Sequence, residues 1–182
     1  GYYNVAIGLS ALAANTTGLT NVALGANALA SNTTASNNTA VGYQAGYANT
    51  TGASNVAVGT SALQANTTAC NNTAVGWQSG YSNVTGTGLS ALGYRALFYN
   101  TGSYNTAVGE EALRSNTTAS NNTAVGYEAG FSNTTGAALT AIGQNALRSN
   151  TTASNNVAVG QDSLYTLTTG TGNVVLGTAA AR

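Results

Sequence analysis

The chain has 182 residues, a net charge of zero, no His, Pro or Met and a single Cys. Only eight residues are charged: Arg95, Glu110, Glu111, Arg114, Glu128, Arg148, Asp162 and Arg182. That inventory gives no electrostatic attraction to nucleic acid or anionic membranes, no His/Cys metal site and no His-based triad.

Along the chain, (Ala/Val)-(Val/Ile/Leu)-Gly recurs with its glycine at Gly8, Gly25, Gly42, Gly59, Gly76, Gly93, Gly109, Gly126, Gly143, Gly160 and Gly177. Every interval is 17 residues except one of 16, between Gly93 and Gly109. A fixed period of this size marks a stacked repeat architecture. Residues 1–182 are read as a single domain of about eleven 17-residue coils.

Within the copy 38–54, numbered one to seventeen, Thr39-Ala40-Val41 predicts a short strand. Positions two and four (Thr39, Val41; Val56, Val58) share one face, expected to be the packed interior because it is β-branched. Positions three and five (Ala40, Gly42) share the other, expected to be a bare face that another backbone approaches closely. Positions eight and nine, usually Ala-Leu as in Ala62-Leu63, predict a second short strand. Asn-Thr-Thr-Gly or Asn-Thr-Thr-Ala (Asn49 to Gly52, Asn116 to Ala119) then turns the chain, because Asn and Thr side chains bond nearby backbone and Gly tolerates positive φ. Two strands and two turns make one coil of a parallel β-solenoid, all-β. Helix formers are too few for a helical repeat. At about 4.8 Å per coil the rod is roughly 50 Å long.

Variations along the chain refine this. Leu at position nine becomes Gly at Gly46, Gly80 and Gly130, each followed by an aromatic (Tyr47, Tyr81, Phe131) expected to fill the volume the Leu leaves. Asn recurs at position twelve (Asn15, Asn32, Asn49, Asn66, Asn83, Asn100, Asn116, Asn133, Asn150), which predicts an amide ladder along the rod; the copy with Leu167 breaks it. Cys70 stands where other copies have Ser36, Ser120 and Ser154 and is read as a substitute for Ser. In the short copy, Asn100-Thr101-Gly102 lacks one turn Thr, a deletion that spares the strand. Every charge falls at position six, seven or ten, which therefore faces solvent, with Arg95 expected to pair with Glu111.

The unit Asn-Thr-Ala-Val-Gly-x-x-Ala-(Leu/Gly), as in 38–46 and 122–130, resembles the head repeats of YadA-like trimeric autotransporter adhesins and related repeats of phage tail fibres. The resemblance covers essentially the whole chain. It implies a left-handed β-roll, three chains side by side, projecting from a surface to bind a host ligand. The unit here is longer, and its extra residues fall in the Asn-Thr-Thr turn. The bare Ala/Gly face is expected to pack around the three-fold axis.

The expected role is a structural or adhesive fibre segment, not an enzyme, located outside the cell, on its surface or on a virion fibre. No catalytic, cofactor-binding or metal-binding residue is singled out: the Glu110-Glu111 pair with Glu128 reads as a solvated charged edge rather than a glycosidase pair. The expected partners are further copies of the chain, as a homotrimer or stacked end to end, and a host glycan or surface protein. Nucleic acid and membrane insertion are not expected, since the apolar runs are only a few residues long. A chain starting at Gly1 without any Met is read as a piece of a longer or processed protein. Alternatives are a self-assembling extracellular filament and, ranked lower, an ice-binding solenoid, because adjacent turn threonines point to opposite sides. The aromatics at positions six and ten are read as packing between coils ahead of stacking on sugars. The Asn-x-Thr sequons at Asn15, Asn32, Asn37, Asn49, Asn66, Asn71, Asn83, Asn116, Asn121, Asn133 and Asn150 are read as products of turn chemistry ahead of glycan sites.

Overall fold

A computed structural model describes residues 1–181; Arg182 lies outside the described residues. Each copy contributes one three-residue strand: β1 (Val5–Ile7), β2 (Val22–Leu24), β3 (Thr39–Val41), β4 (Val56–Val58), β5 (Thr73–Val75), β6 (Ser90–Leu92), β7 (Thr106–Val108), β8 (Thr123–Val125), β9 (Thr140–Ile142), β10 (Val157–Val159) and β11 (Val174–Leu176). They form one parallel sheet in strict chain order. Residues one period apart pair, as in Thr39↔Val56 and Val41↔Val58. The fold is the β-solenoid that the 17-residue beat predicts. We number the coils 1 to 11 after their strands.

The strand faces are opposite to expectation. Ala23, Ala40, Ala74, Ala91, Ala107, Ala124 and Ala158 are fully buried, whereas the residues flanking them in the strand are half-buried or exposed. The reason is the size of the coil. Seventeen residues enclose a narrow interior, already occupied by a Leu from position nine and by asparagines from positions one and twelve. An Ala row fits there at close-packed density and a Val row does not. The Thr and Val rows therefore face outward.

The Ala-Leu segment is not a second strand. Leu29, Leu63, Leu97, Leu113, Leu147 and Leu164 have φ between 48° and 53°, in the left-handed region that bulky residues rarely enter. What holds them is hydrogen bonding in two directions. Ala28 N–H closes a turn onto Gly25 O (3.2 Å), and Leu29 N–H then reaches the next coil at Ala45 O (3.0 Å). The side chain that results points into the core, where Leu97 and Leu147 are completely buried. Leu97→Ala is expected to cost about 2–5 kcal/mol by leaving a cavity. Leu92→Ala, on the outward face and 38% exposed, leaves no cavity inside the coil and is expected to cost the coil less than Leu97→Ala. Denaturant titration of the two variants checks which face is interior.

Where position nine is Gly, the aromatic that follows does not refill the core, since Tyr47 stays 39% exposed. The preceding coil leans in instead. A Cβ on Gly46 would lie 3.0 Å from Leu29 Cδ2, and one on Gly80 2.9 Å from Leu63 Cδ2. What remains beside Gly46 is a void of about 10 Å³ lined by Leu29, Ala40, Leu63 and asparagines, the size of one water.

Two asparagine ladders run through the interior. The expected one, at position twelve, is present: Asn49 Nδ2 donates to Asn32 Oδ1 (2.9 Å), Asn66 to Asn49 (2.9 Å) and Asn83 to Asn66 (3.1 Å). Each amide also donates within its own coil, Asn49 to Gly52 O at 2.9 Å. It is a buried ladder, not a surface one. The second, at position one, is a finding of the structure. Asn38 Oδ1 accepts from Asn55 N–H (2.8 Å), and Asn38 Nδ2 donates to Gly52 O of its own coil (2.9 Å). These amides satisfy backbone groups that a coil without a second strand would otherwise bury unpaired. Leu89 and Leu139 replace position one in two coils and stay 2% exposed.

The short copy leaves the sheet unbroken, with Ser90↔Thr106 and Leu92↔Val108 in register. It does interrupt the ladder: Asn83 Oδ1 accepts from Gly86 N–H (3.0 Å) and Asn100 Nδ2 donates to Gly102 O (2.7 Å). Leu167 stands in the position-twelve column near the end and packs against the core.

Candidate functional site

Three sides of the coil offer different chemistry. On the strand side, positions two and four form two columns running the length of the sheet. Position four carries Ile7, Leu24, Val41, Val58, Val75, Leu92, Val108, Val125, Ile142, Val159 and Leu176. Position two alternates among Val, Thr and Ser. Val75, Leu92, Val108, Val125 and Ile142 are among the exposed apolar side chains although they sit in the middle of the rod. The columns are two residues apart and the rod spans ten coil intervals, so this strip covers about 48 Å by 10 Å, on the order of 500 Å². Its position-four column is wholly apolar, and a strip of this extent matches the largest patches of ordinary monomers, which often serve as interaction surfaces. The Ala/Gly face, expected to be open to another chain, is instead the interior, and the backbone approaching its glycines is that of the adjacent coil.

On the turn side, the Thr at position thirteen uses its hydroxyl within the stack: Thr50 Oγ1 donates to Thr67 O (3.1 Å) and Thr117 Oγ1 to Thr134 O (3.0 Å). Its neighbours Thr51 and Thr118 are exposed. Ser36, Ser120 and Ser154 each accept a backbone N–H from the preceding coil at 2.9–3.0 Å, from Leu19, Ser103 and Ala137. Cys70 Sγ does the same for Ala53 N–H at 3.3 Å, so it fills the Ser role geometrically.

Sequons separate into two sets on the same basis. The eight at position twelve belong to the ladder, and Asn32, Asn66, Asn83, Asn116, Asn133 and Asn150 have under 2% of their surface exposed. The three at position seventeen, Asn37, Asn71 and Asn121, are exposed.

The third side carries positions six, seven and ten. None of the described charged residues is buried there. The expected Arg95–Glu111 pair does not form. Glu111 Oε1 contacts Arg114 Nε within its own coil at 3.3 Å, and Glu128 pairs with Arg148 of the next coil. Position-seven side chains take either kind of partner: Glu111 and Glu128 meet arginines at position ten, whereas Arg95 bonds Gln78 and Asn145 bonds Asp162 in their own column. The hydrogen bond from Arg148 holds its guanidinium above the usual arginine range, and Glu128 raises the Tyr127 phenol through a hydrogen bond and its negative charge. Glu111 and Glu128 are thus tied to arginines.

The aromatics stack along the rod. Trp77 lies on Tyr94 with ring centres 5.0 Å apart and planes 12° apart; Tyr81 lies on Phe98 at 5.0 Å and 3°. Farther along, Arg114 and Arg148 lie on either side of Phe131, at 5.4 and 5.3 Å from its centre, and Arg148 is also 5.7 Å from Tyr165. Coil-to-coil packing, the favoured reading of these aromatics, is what the geometry shows. Among the described residues no helix is long and apolar enough to cross a membrane.

No family model, no curated protein and no solved structure matches the chain.

Proposed function

We propose that the chain is a segment of a structural, adhesive fibre in which several solenoids lie side by side through the strand face, as a homotrimer, displayed at a cell surface or on a virion fibre. The observation that carries this reading is the apolar strip along positions two and four. Water contact along so long a strip is unfavourable, and the uniform spacing lets an identical strip pack against it coil by coil. The Val, Ile and Leu rows supply the burial, and Thr39, Thr73, Thr106, Thr123 and Thr140 supply hydroxyls that limit promiscuous sticking. The resemblance of the Asn-Thr-Ala-Val-Gly unit to trimeric adhesin heads points the same way. Nothing in the role calls for catalysis: the rod gives reach, and association multiplies whatever ligand sites each chain carries.

Val108→Glu combined with Val125→Glu places two charges at the centre of the strip without entering the core. The double variant is expected to sediment as single chains of 17.9 kDa with an unchanged circular dichroism spectrum, whereas the parent sediments as an oligomer. Sedimentation of parent and variant alike as single chains overturns the proposal.

A second reading has one observation in its favour. The strand threonines, expected to be interior, face outward in a flat, regularly spaced array beside Val, an arrangement that can order water as ice-binding solenoids do. Thermal hysteresis of the single-chain form tests it, and freezing behaviour equal to that of an inert protein rejects it.

A further inference from the structure

Coils 5 and 6 differ from the rest of the array at one edge. There Trp77 and Tyr94 are stacked, and the Arg95 guanidinium carbon lies 5.1 Å from the Trp77 ring centre, 5.5 Å from Tyr94 and 5.0 Å from Phe98. Arg95 Nε donates to Gln78 Oε1 at 3.2 Å. Arg114 and Arg148 each contact a carboxylate. Arg95 leans toward coil 5, away from Glu111, and among the described residues it is the arginine that contacts none. Its two terminal nitrogens remain free as a fork, the geometry that receives a carboxylate through two hydrogen bonds. Packing among rings removes part of the guanidinium's water and strengthens such a pair.

Trp77 supplies the second element. It is 40% exposed. Tyr94 covers its face toward coil 6. In the other direction the same column holds Thr60, exposed and too short to stack. The next aromatic of that column, Tyr43, stands two coils from Trp77, about 9.6 Å along the rod. The space over Thr60 is therefore about one ring thick.

We propose that Trp77, Arg95 and Gln78, with the space over Thr60, form a binding site for an acidic sugar. The sugar ring lies on the uncovered face of Trp77, its carboxylate meets the Arg95 fork, and the free amide N–H2 of Gln78 donates to a ring hydroxyl. Glu110 and Glu111 follow in the adjoining coil, in the columns of Tyr94 and Arg95. They repel densely sulfated chains and tolerate a residue bearing one charge and several hydroxyls. A shallow site of this kind binds weakly per chain and gains from repetition. Positions six and seven lie off the strand face, so the site does not depend on lateral association of the rods.

Trp77 is the chain's only tryptophan, so its fluorescence reports on this site alone. Titration with tri-galacturonate is expected to change that fluorescence saturably. The affinity is expected to fall about tenfold or more in Arg95→Gln and in Thr60→Phe, which covers the free indole face, while Arg148→Gln binds like the parent. Neutral maltotriose and a heparin-derived sulfated hexasaccharide are expected to bind at least about tenfold more weakly. Circular dichroism of each variant confirms that the coil is intact. A flat titration, equal affinity in Arg95→Gln, or tighter binding of the neutral or sulfated probe overturns the proposal.

Discussion

Gly109→Ala is expected to split the rod between coils 7 and 8. Gly109 has φ +131°, which an L side chain rarely adopts, and a Cβ there would lie 2.5 Å from Gly126 O and 2.7 Å from Gly126 C. Both are backbone atoms, held by the Gly126 N–H to Val108 O bond at 2.8 Å. The methyl can be accommodated only by lengthening that ladder. Backbone strain and overpacking together cost about 3–5 kcal/mol, a large share of the stability of an ordinary domain. Coils contact only their neighbours, so the damage is local: hydrogen exchange is expected to accelerate in coils 7 and 8 before it does elsewhere. Gly172→Ala is the control. Its φ is also positive, at +74°, but a Cβ there meets nothing within 4 Å. Equal loss of thermal stability in both variants would mean that φ alone, and not the close approach of coils, explains the glycine beat.

The second large effect is expected from Asn116→Asp. Asn116 is completely buried. Its Nδ2 donates to Asn100 Oδ1 (2.6 Å) and Ala119 O (3.0 Å), and its Oδ1 accepts from Asn133 Nδ2 (2.8 Å). Aspartate keeps the shape but turns the donor into an acceptor facing two acceptors, and adds a buried negative charge. The expected loss at pH 7 is about 3–5 kcal/mol. It also carries a pH signature. Burial raises the carboxyl's pKa in the folded state above that of the unfolded chain, about 3.9. A group raised on folding contributes its stability below the unfolded pKa and loses it as pH rises through the folded one. The variant is therefore expected to approach the parent's melting temperature at pH 3 and fall well below it at pH 7. Asn121→Asp, exposed at position seventeen, is expected to change stability by less than about 0.5 kcal/mol at either pH. Matching behaviour of the two variants would contradict a buried ladder.

The period alone exposes the architecture, because an error of one residue per coil would destroy a column, and eleven glycines stay in register. The position-twelve ladder, the Ser role of Cys70 and a deletion near Thr101 that spares the sheet follow from reading columns instead of segments, whereas the break that deletion makes in the ladder does not. The interior of the strand does not follow from hydrophobicity. Thr-Ala-Val alternates a bulky face with a small one, and bulk argues for the wrong face; the diameter of a 17-residue coil decides. The columns hold a signal that settles it. Position three is Ala in ten of eleven strands, with Val175 in the last, whereas position two exchanges Val, Thr and Ser freely. A side that accepts a hydroxyl in any coil lies outside the coil's core, and a side that accepts one size faces a packed interior.

Leu29 and its equivalents hide their conformation more completely, because no sequence preference announces a leucine with φ near +50°. Only the two-way hydrogen bonding of the closed coil makes it affordable. The charged edge is legible as a surface, but its pairing is not: Glu111 with Arg114 and Glu128 with Arg148 depend on where the turn through the Ala-Leu segment directs its side chains.

The lateral fibre rests on the outward strand face, and the mass of the folded parent chain in dilute solution, by multi-angle light scattering, tests it most directly. The prediction is a stable particle of three times 17.9 kDa, held by an apolar strip of about 48 Å. A folded particle of 17.9 kDa that stays single as its concentration rises would contradict it.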